Sequence, residues 1–126
     1  MERLIGGSLQ MLERSLHLRR MRQGALAANV AHADTPGYRR VDVDFESALA
    51  RASKPLQRTG PGHLSGSAMD GARIIRDPVV RGADGNGVDR DLEAISLARN
   101  AGAFEDQAAV LARLFTIRRI GATGEL

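Results

Sequence analysis

The fold of this chain depends on ten residues, Asn29-Val30-Ala31-His32-Ala33-Asp34-Thr35-Pro36-Gly37-Tyr38, because a long helical pattern runs into them and must end there. Pro36 cannot continue a helix, and it drives the residue before it toward extended geometry. Pro36 and Gly37 suit the central positions of a type II turn, in which glycine takes a positive φ. Asp34 and Thr35 carry oxygens that can cap freed backbone groups. The sequence therefore predicts a helix terminus followed by a rigid turn.

The residues before this turn have the spacing of an amphipathic helix, from about residue 3 to residue 34. One row of side chains keeps the alternating three- and four-residue steps that are typical of a coiled coil. This N-terminal seam consists of Ile5, Leu9, Leu12, Leu16, Arg19, Gln23, Leu26 and Val30. A second, more mixed row lies one residue's rotation around the helix and consists of Leu4, Ser8, Met11, Ser15, Leu18, Arg22 and Ala25. Together the two rows predict a helix that contacts more than one neighbour.

A second helical pattern covers residues from about 89 to 120. Asp89 suits its N-cap, Asp91 and Glu93 complement the helix dipole in the first turn, and Arg118 with Arg119 suits the other end. The C-terminal seam consists of Leu97, Ala101, Phe104, Ala108, Leu111 and Phe115, and it is flanked by Val110, Leu114 and Ile117. The residues alone favour a helical hairpin that buries one face of each helix.

Between the two long helices, the sequence predicts one short helix and an irregular middle. The short helix covers Asp44 to Ala52, with Asp44 as its N-cap and Pro55 just beyond its end. The middle, residues 53–88, is rich in glycine and proline. It contains either two short strands, Ala72–Ile75 and Val79–Arg81, or an irregular loop. The chain therefore divides into residues 1–52, residues 53–88 and residues 89–126.

The composition excludes several classes of protein. The 126 residues suffice for one domain, and aromatic side chains make up only 3% of them, which fits helix seams better than a compact globule. The chain has no cysteine, so a disulfide, a zinc–thiolate site and a thiol nucleophile are excluded. No segment approaches the roughly 20 apolar residues of a transmembrane helix. Residues 1–15 lack the apolar run and the cleavage site of a secretory signal, so we expect no cleavable signal.

No group of residues supports catalysis, a cofactor or a metal. His32 and Asp34 are potential metal ligands, but no third ligand lies at a recognisable spacing. The segment Asp84–Asp89 begins like a calcium loop, yet its fifth and sixth positions lack the oxygen ligand and the glycine. His63 has no nucleophile elbow near it, and Gly60-Pro61-Gly62 lacks the Lys-Ser/Thr of a phosphate-binding loop. We therefore expect that the protein is not an enzyme.

Two basic clusters leave an alternative function open. Arg19-Arg20-Met21-Arg22 lies on the first helix and Arg39-Arg40 follows the turn, although the net charge is only +3. A helix with basic residues on one side can follow nucleic-acid phosphates or lie on an anionic membrane. A solvated or ion-paired helix face is the favoured interpretation. The alternative is a basic coiled-coil adaptor that binds nucleic acid or an anionic membrane.

The turn and its surroundings resemble the N-terminal signature of the rod, hook and hook-associated proteins of the bacterial flagellum. The similarity includes Arg22-Gln23, Ala28-Asn29-Val30-Ala31 and Ala33-Asp34-Thr35-Pro36-Gly37-Tyr38. The segments Asp42–Leu49, His63-Leu64 and Asp84–Asp89 are similar to the proximal-rod members of that family. His32 stands where the family usually has a second asparagine, and Gly87 replaces another asparagine. We expect Gly87 to take the same turn conformation as that asparagine.

The resemblance implies a set of assembly residues, which are the signature positions Asn29, Ala31, Asp34, Thr35, Pro36, Gly37, Tyr38, Asp44 and Phe45. It also implies a mainly α fold, in which the terminal helices pack as an antiparallel, coiled-coil-like pair and form one inner axial domain. Copies would stack helically into a rod that crosses the periplasm and transmits torque to the hook. The implied partners are the membrane-ring protein, the ring–rod junction protein, other rod proteins and copies of the chain, with no nucleic acid. Export would use the flagellar type III apparatus.

The pattern of the two long helices also predicts how stable the isolated chain is. Two helices that share a single seam are only marginally stable in water. Burial of the second row against other subunits would add stability. We therefore expect the isolated chain to be partly unfolded and to become fully helical on assembly.

Overall fold

A computed structural model of the chain describes residues 2–53 and 72–124. In chain order its elements are α1 (Glu2–Ala31), β1 (Val41–Val43), α2 (Phe45–Ser53), β2 (Ile74–Arg76) and α3 (Arg90–Thr123). Among these described residues, no helix has the length and apolar character that a membrane crossing requires. The segments considered above at Pro55, Gly60–Gly62 and His63 lie outside the described residues.

The helices α1 and α3 pack against each other in antiparallel orientation. Near the end of α1, Asn29 Nδ2 lies 3.2 Å from Glu93 Oε2, close to the start of α3. In the first half of α1, Ser15 Oγ lies 2.9 Å from Gln107 Oε1, farther along α3. Rising residue numbers in α1 therefore meet falling numbers in α3. This pairing confirms the predicted mainly α fold with paired terminal helices.

The ends of α2 and α3 follow the predicted capping pattern. Asp89 has extended geometry, and its Oδ1 accepts hydrogen bonds from the amides of Asp91 at 3.1 Å and Leu92 at 3.2 Å. Asp44 Oδ1 accepts one from the amide of Ser47 at 3.3 Å, at the start of α2. These carboxylates satisfy amides that have no partner within the helix. Both predicted N-caps are therefore confirmed.

The middle of the chain contains a two-stranded antiparallel sheet, but its pairing differs from the predicted one. Strand β2 pairs with β1, with Val41 opposite Arg76 and Val43 opposite Ile74. The strand predicted at Val79–Arg81 is wrong, because that segment forms no ladder. Its amides form hydrogen bonds within turns instead. The Val79 amide donates to Asp77 Oδ1 at 3.0 Å, and the Arg81 amide donates to the Asn86 carbonyl at 2.9 Å. Pro78 has no amide to donate.

The apolar core of the described residues is small and lies along α1. Its buried members are Leu9, Leu18, Leu26, Val43 and Ala48. Helix α1 contacts α3 on one side and α2 with β1 on another, which matches the expectation that α1 contacts more than one neighbour. The guanidinium of Arg19, on α1, lies 4.8 Å from the ring centroid of Phe45, the first residue of α2. This distance is within the range of a cation–π contact.

Candidate functional site at the end of the first helix

The turn after α1 has the predicted geometry, but its caps come from elsewhere. Gly37 has a φ of 70°, and the amide of Tyr38 donates to the Thr35 carbonyl at 3.2 Å. The freed backbone groups are carbonyls, and Asn86 Nδ2 donates to two of them: His32 at 3.0 Å and Thr35 at 2.7 Å. Capping by the Asp34 carboxylate was therefore the wrong expectation, because an ionised carboxylate cannot donate.

Asn29 joins three elements through one amide group. Its side chain is fully buried, its Nδ2 donates to the Val41 carbonyl at 2.7 Å, and its Oδ1 accepts from the Val41 amide at 2.9 Å. Nδ2 also donates to Glu93 Oε2 at 3.2 Å, and Tyr38 Oη donates to Oδ1 at 3.3 Å. The Asn29 amide therefore bonds to both backbone groups of Val41, as a neighbouring strand would. Through Glu93 it also binds the first turn of α3. Removal of such a group leaves buried backbone atoms without partners.

Charged side chains surround this amide. We call the cluster of Arg22, Asn29, Arg40, Asp42 and Glu93 the polar junction. Glu93 is only 1% exposed and forms an ion pair with Arg40 Nε. Arg22 binds Asp42 with two bonds, Nε to Oδ1 at 2.8 Å and Nη2 to Oδ2 at 3.0 Å, and Arg40 Nη2 lies 3.2 Å from Asp42 Oδ2. Three elements are therefore connected through paired charges that water reaches poorly.

The polar junction shifts the pKa of two of its members. Burial alone would raise the pKa of Asp42, but hydrogen bonds from Arg22 and from the Val43 amide, with the charges of Arg22 and Arg40, outweigh it. The pKa of Asp42 therefore lies below its ordinary value. Burial acts to lower the pKa of Arg40, and the contacts with Glu93 and then Asp42 outweigh that effect, so its pKa is raised. Both shifts favour the charged forms.

The segment before α3 docks onto the turn through its backbone. Gly37 donates its amide to the Asp84 carbonyl at 3.0 Å, and Gly87 donates to the Tyr38 carbonyl at 2.9 Å. A Cβ on Gly87 would lie 2.7 Å from the Val79 carbonyl oxygen, which is closer than real contacts. Gly87 does not have a positive φ. Close backbone approach, rather than a left-handed conformation, is therefore the reason for glycine here.

The signature residues divide between an inward and an outward group. Asn29 is buried and Tyr38 is partly buried, and the Tyr38 ring stacks on His32 at 4.7 Å between centroids. Asp44 caps α2, and Phe45 is half-buried beside it. The outward group is exposed and consists of Ala31, Asp34, Thr35, Pro36 and Gly37. Asp34 forms an exposed ion pair with Arg90, which contributes little stability.

The residues of the two predicted seams differ in burial. In the N-terminal seam, Leu9 and Leu26 are buried, Leu12 and Leu16 are half-buried, and Val30 is 40% exposed. In the C-terminal seam, Leu97 and Leu111 are half-buried, while Phe104 and Phe115 are exposed. The apolar rows therefore lie partly at the margins of the helix contact.

Polar side chains occupy the middle of the α1–α3 contact, and the sequence analysis missed them. Glu93, Asn100 and Gln107 recur every seven residues and point at α1. Asn100 Nδ2 donates to the Arg19 carbonyl at 2.9 Å and to Gln23 Oε1 at 2.7 Å. The signal was present as a polar heptad position, but apolar periodicity was the only pattern considered.

The described residues contain no group of side chains that could hold a metal ion, and the basic clusters are largely engaged within the chain. Arg22 and Arg40 are paired with Asp42 and Glu93, and Arg19 lies over Phe45 and donates to Gln107 Oε1 at 3.1 Å. Paired guanidinium groups are not available to phosphates without loss of those contacts. Neither the geometry nor the comparisons below support the nucleic-acid or membrane alternative.

Comparisons with curated proteins find relatives that are named as flagellar basal body rod proteins, although no protein-family model matches the chain. A flagellar basal body rod protein FlgB of Cereibacter sphaeroides is 38% identical over 103 residues, which cover 79% of this chain and 80% of the relative. The FlgB of Yersinia enterocolitica is 32% identical over 119 residues, 85% and 87% of the two chains. That of Escherichia coli K12 is 34% identical over 109 residues, 77% and 79%. With this identity over most of both lengths, the chain belongs to the FlgB family of flagellar basal body rod proteins.

Proposed function

We propose that this chain, a structural subunit of the flagellar basal body rod, forms the proximal part of that rod by helical stacking. In this role it transmits torque from the motor ring to the hook, and its action is mechanical rather than catalytic. Heterologous contacts that repeat without closing would extend the stack. The paired helices α1 and α3 would form the inner layer of each subunit.

One observation carries this proposal: large apolar side chains of the paired helices are exposed while the contact between them is partly polar. On α3, Val110 is 48% exposed, Phe115 47% and Ile117 57%. Side chains of this size contribute about 1.5–3 kcal/mol each when they are buried. Burial of this surface against neighbouring subunits would therefore stabilise an assembly more than it stabilises the chain alone.

The proposed partners are the membrane-ring protein, the ring–rod junction protein, other rod proteins and further copies of the chain. We propose that the signature residues and both seams take part in these contacts. The exposed turn residues Asp34, Thr35 and Pro36 are placed where a neighbour can reach them. In the same proposal, the rod crosses the periplasm and the chain leaves the cell through the flagellar type III apparatus.

The polar contact between α1 and α3 supports export in an unfolded state. Polar and charged pairs in a helix contact add specificity but little net stability, because their desolvation offsets their attraction. The isolated chain would therefore be partly unfolded. Circular dichroism of the dilute chain should show incomplete helix that increases on assembly; a cooperative, strongly helical and heat-resistant monomer would contradict this expectation.

A deletion strain tests the function itself. Removal of the gene should abolish motility and leave basal bodies that end at the membrane ring, because no later rod segment has a base to stack on. The wild-type gene on a plasmid is the control and should restore both. Motile deletion cells that lack any paralogue would contradict the proposal.

A further inference from the structure

Strand β2 and the turn after it form an exposed apolar surface that the functions above do not use. Ile74 is 58% exposed and Ile75 46%, although they lie on opposite faces of the strand. Val79 and Val80, which follow in the turn, are 47% and 62% exposed. An exposed edge strand can pair with another chain through its free backbone groups.

The outer edge of β2 has backbone groups that no described residue pairs with. The Asp44 amide donates to the Arg73 carbonyl and the Asp77 amide donates to the Arg40 carbonyl, both at 2.9 Å. In an antiparallel ladder, these bonded positions alternate with positions whose groups point away. The amides and carbonyls of Ile74 and Arg76 therefore point away from β1, toward the open side of the sheet.

The same edge is basic. Arg73, Arg76 and Arg81 are exposed, and none of them forms an ion pair with a described residue. Exposed charges of one sign favour a partner of the opposite sign and speed its approach. The edge thus combines unpaired backbone groups, apolar side chains and positive charge.

We propose that β2 accepts a third, antiparallel strand from a neighbouring protein of the rod, in an extended segment in which two adjacent β-branched apolar residues are flanked by acidic residues. This inference rests on the proposed role as an assembling subunit. Main-chain bonds to Ile74 and Arg76 would supply the attachment. The two apolar residues would lie opposite Ile74 and Ile75, and the acidic residues opposite Arg73 and Arg76.

A different protein fits this edge better than a second copy of the chain. The acidic strand of the described residues is β1, and its Asp42 is held by Arg22 and Arg40. A second copy would have to release those ion pairs before it could offer β1 to a neighbour. A partner whose acidic segment is free avoids that cost.

The first test uses the full chain and a synthetic capped peptide in which a pair of valines is flanked by aspartates on both sides. The control peptide has the same composition with the aspartates grouped at one end. Hydrogen exchange followed by NMR should show that the flanked peptide slows exchange of the Ile74 and Arg76 amides about tenfold, while the Ile75 amide, which faces β1, changes little. Equal slowing by both peptides, or no slowing, would overturn the proposal.

Two kinds of variant test the backbone and the charge separately. Ile74→Pro removes an outward amide, and Ile74→Val is its matched control. Arg76→Glu reverses one charge, and Arg76→Lys keeps it. Peptide affinity should fall about tenfold in Ile74→Pro and Arg76→Glu and stay near the wild-type value in both controls. Because Arg76→Glu removes no backbone bond between β1 and β2, it remains informative if the proline variant fails to fold.

Assembled basal bodies give the final test. The chain has no cysteine, so Ile74→Cys introduces a unique thiol at an exposed side chain while it keeps the outward amide and the Arg76 charge. A maleimide should label it in the purified chain, fail to label it in intact basal bodies and label it again after denaturation. Labelling in intact basal bodies would overturn this inference while leaving the rod function standing, since the basal bodies would contain the chain. Protection that rises with chain concentration would identify a second copy, and protection in the dilute chain would identify its own residues; either result overturns the acidic partner.

Discussion

The two ends of the α1–α3 pair are built in different ways. At the turn end, Asn29 and Glu93 are buried and bonded to several elements within the same chain. At the other end, α3 presents Phe115 and Ile117 with about half of each side chain exposed. The first end fixes the arrangement of the chain through polar contacts. The second end has apolar surface that remains exposed in the described part of the chain.

This difference separates two tasks that a single apolar seam would combine. Buried polar pairs are poor sources of net stability but good sources of register, because a misaligned carboxylate or amide loses its partner. Apolar side chains have no directional requirement, so they stabilise contact with any surface that buries them. The polar pairs of the turn end therefore specify how α1 and α3 meet. Exposed apolar side chains, which include Leu92 and Ile95 near the turn as well as Phe115 and Ile117 at the far end, would provide energy for association with neighbours.

The largest expected effect comes from Glu93→Ala, which removes the buried carboxylate of the polar junction. Arg40 would lose its ion pair and Asn29 would lose one acceptor, so we expect a loss of about 3–5 kcal/mol in the free energy of unfolding. Urea unfolding in trimethylamine oxide, which favours the folded chain, is the measurement. Glu105→Ala, at an exposed position of α3, is the control and should change it by less than about 0.5 kcal/mol. Equal losses of stability in the two variants would mean that the polar junction does not determine how α1 and α3 meet at the turn.

Gly87→Ala should have the next largest effect. The added Cβ would lie 2.7 Å from the Val79 carbonyl oxygen, so the backbone must shift and weaken the bond from Gly87 to Tyr38. We expect a loss of about 1–3 kcal/mol. Gly102→Ala is the matched control, because no atom of the described residues lies within 4 Å of its added Cβ in α3, and it should raise stability by about 0.5–1 kcal/mol. Changes of the same sign in the two variants would contradict the close approach at Gly87.

Acid should weaken the turn end through Asp42. Its pKa in the folded chain lies below the ordinary value of 3.8, so its contribution is complete above that value and is lost as the pH falls through the folded pKa. Urea midpoints measured from about pH 6 down to about pH 3 should fall less steeply in Asp42→Asn than in the wild-type chain. Asp106→Asn, an exposed control on α3, should keep the wild-type slope. An unchanged slope in Asp42→Asn would show that Asp42 gains nothing from Arg22.

The parts of the fold that the sequence predicted are those set by local rules. The turn at Pro36-Gly37 and the caps at Asp44 and Asp89 depend on residues within a few positions, and periodicity located both long helices. The pairing of β1 with β2 joins segments about thirty residues apart, and three-residue strands have too little pattern to identify a partner.

The polar junction depends on even longer separations. Glu93 was assigned to the helix dipole of α3, since its position in the first turn fits that role. Only the antiparallel packing of α1 and α3 brings it to Asn29 and Arg40. The resemblance identified Asn29 as important but not its bonds, and the heptad spacing of Glu93, Asn100 and Gln107 was the one available signal of a polar contact.

The smallest expected effect on the chain alone comes from Ile117→Ser at the far end. Because this side chain is 57% exposed, its loss should change the free energy of unfolding by less than about 1 kcal/mol. In the rod the same side chain would be buried, so motility and the yield of basal bodies should fall sharply. Ala112→Ser, at an exposed position of the same helix, is the control and should leave both unchanged. If Ile117→Ser instead destabilised the chain as strongly as Glu93→Ala and left rods intact, the two ends would not have the separate tasks inferred here.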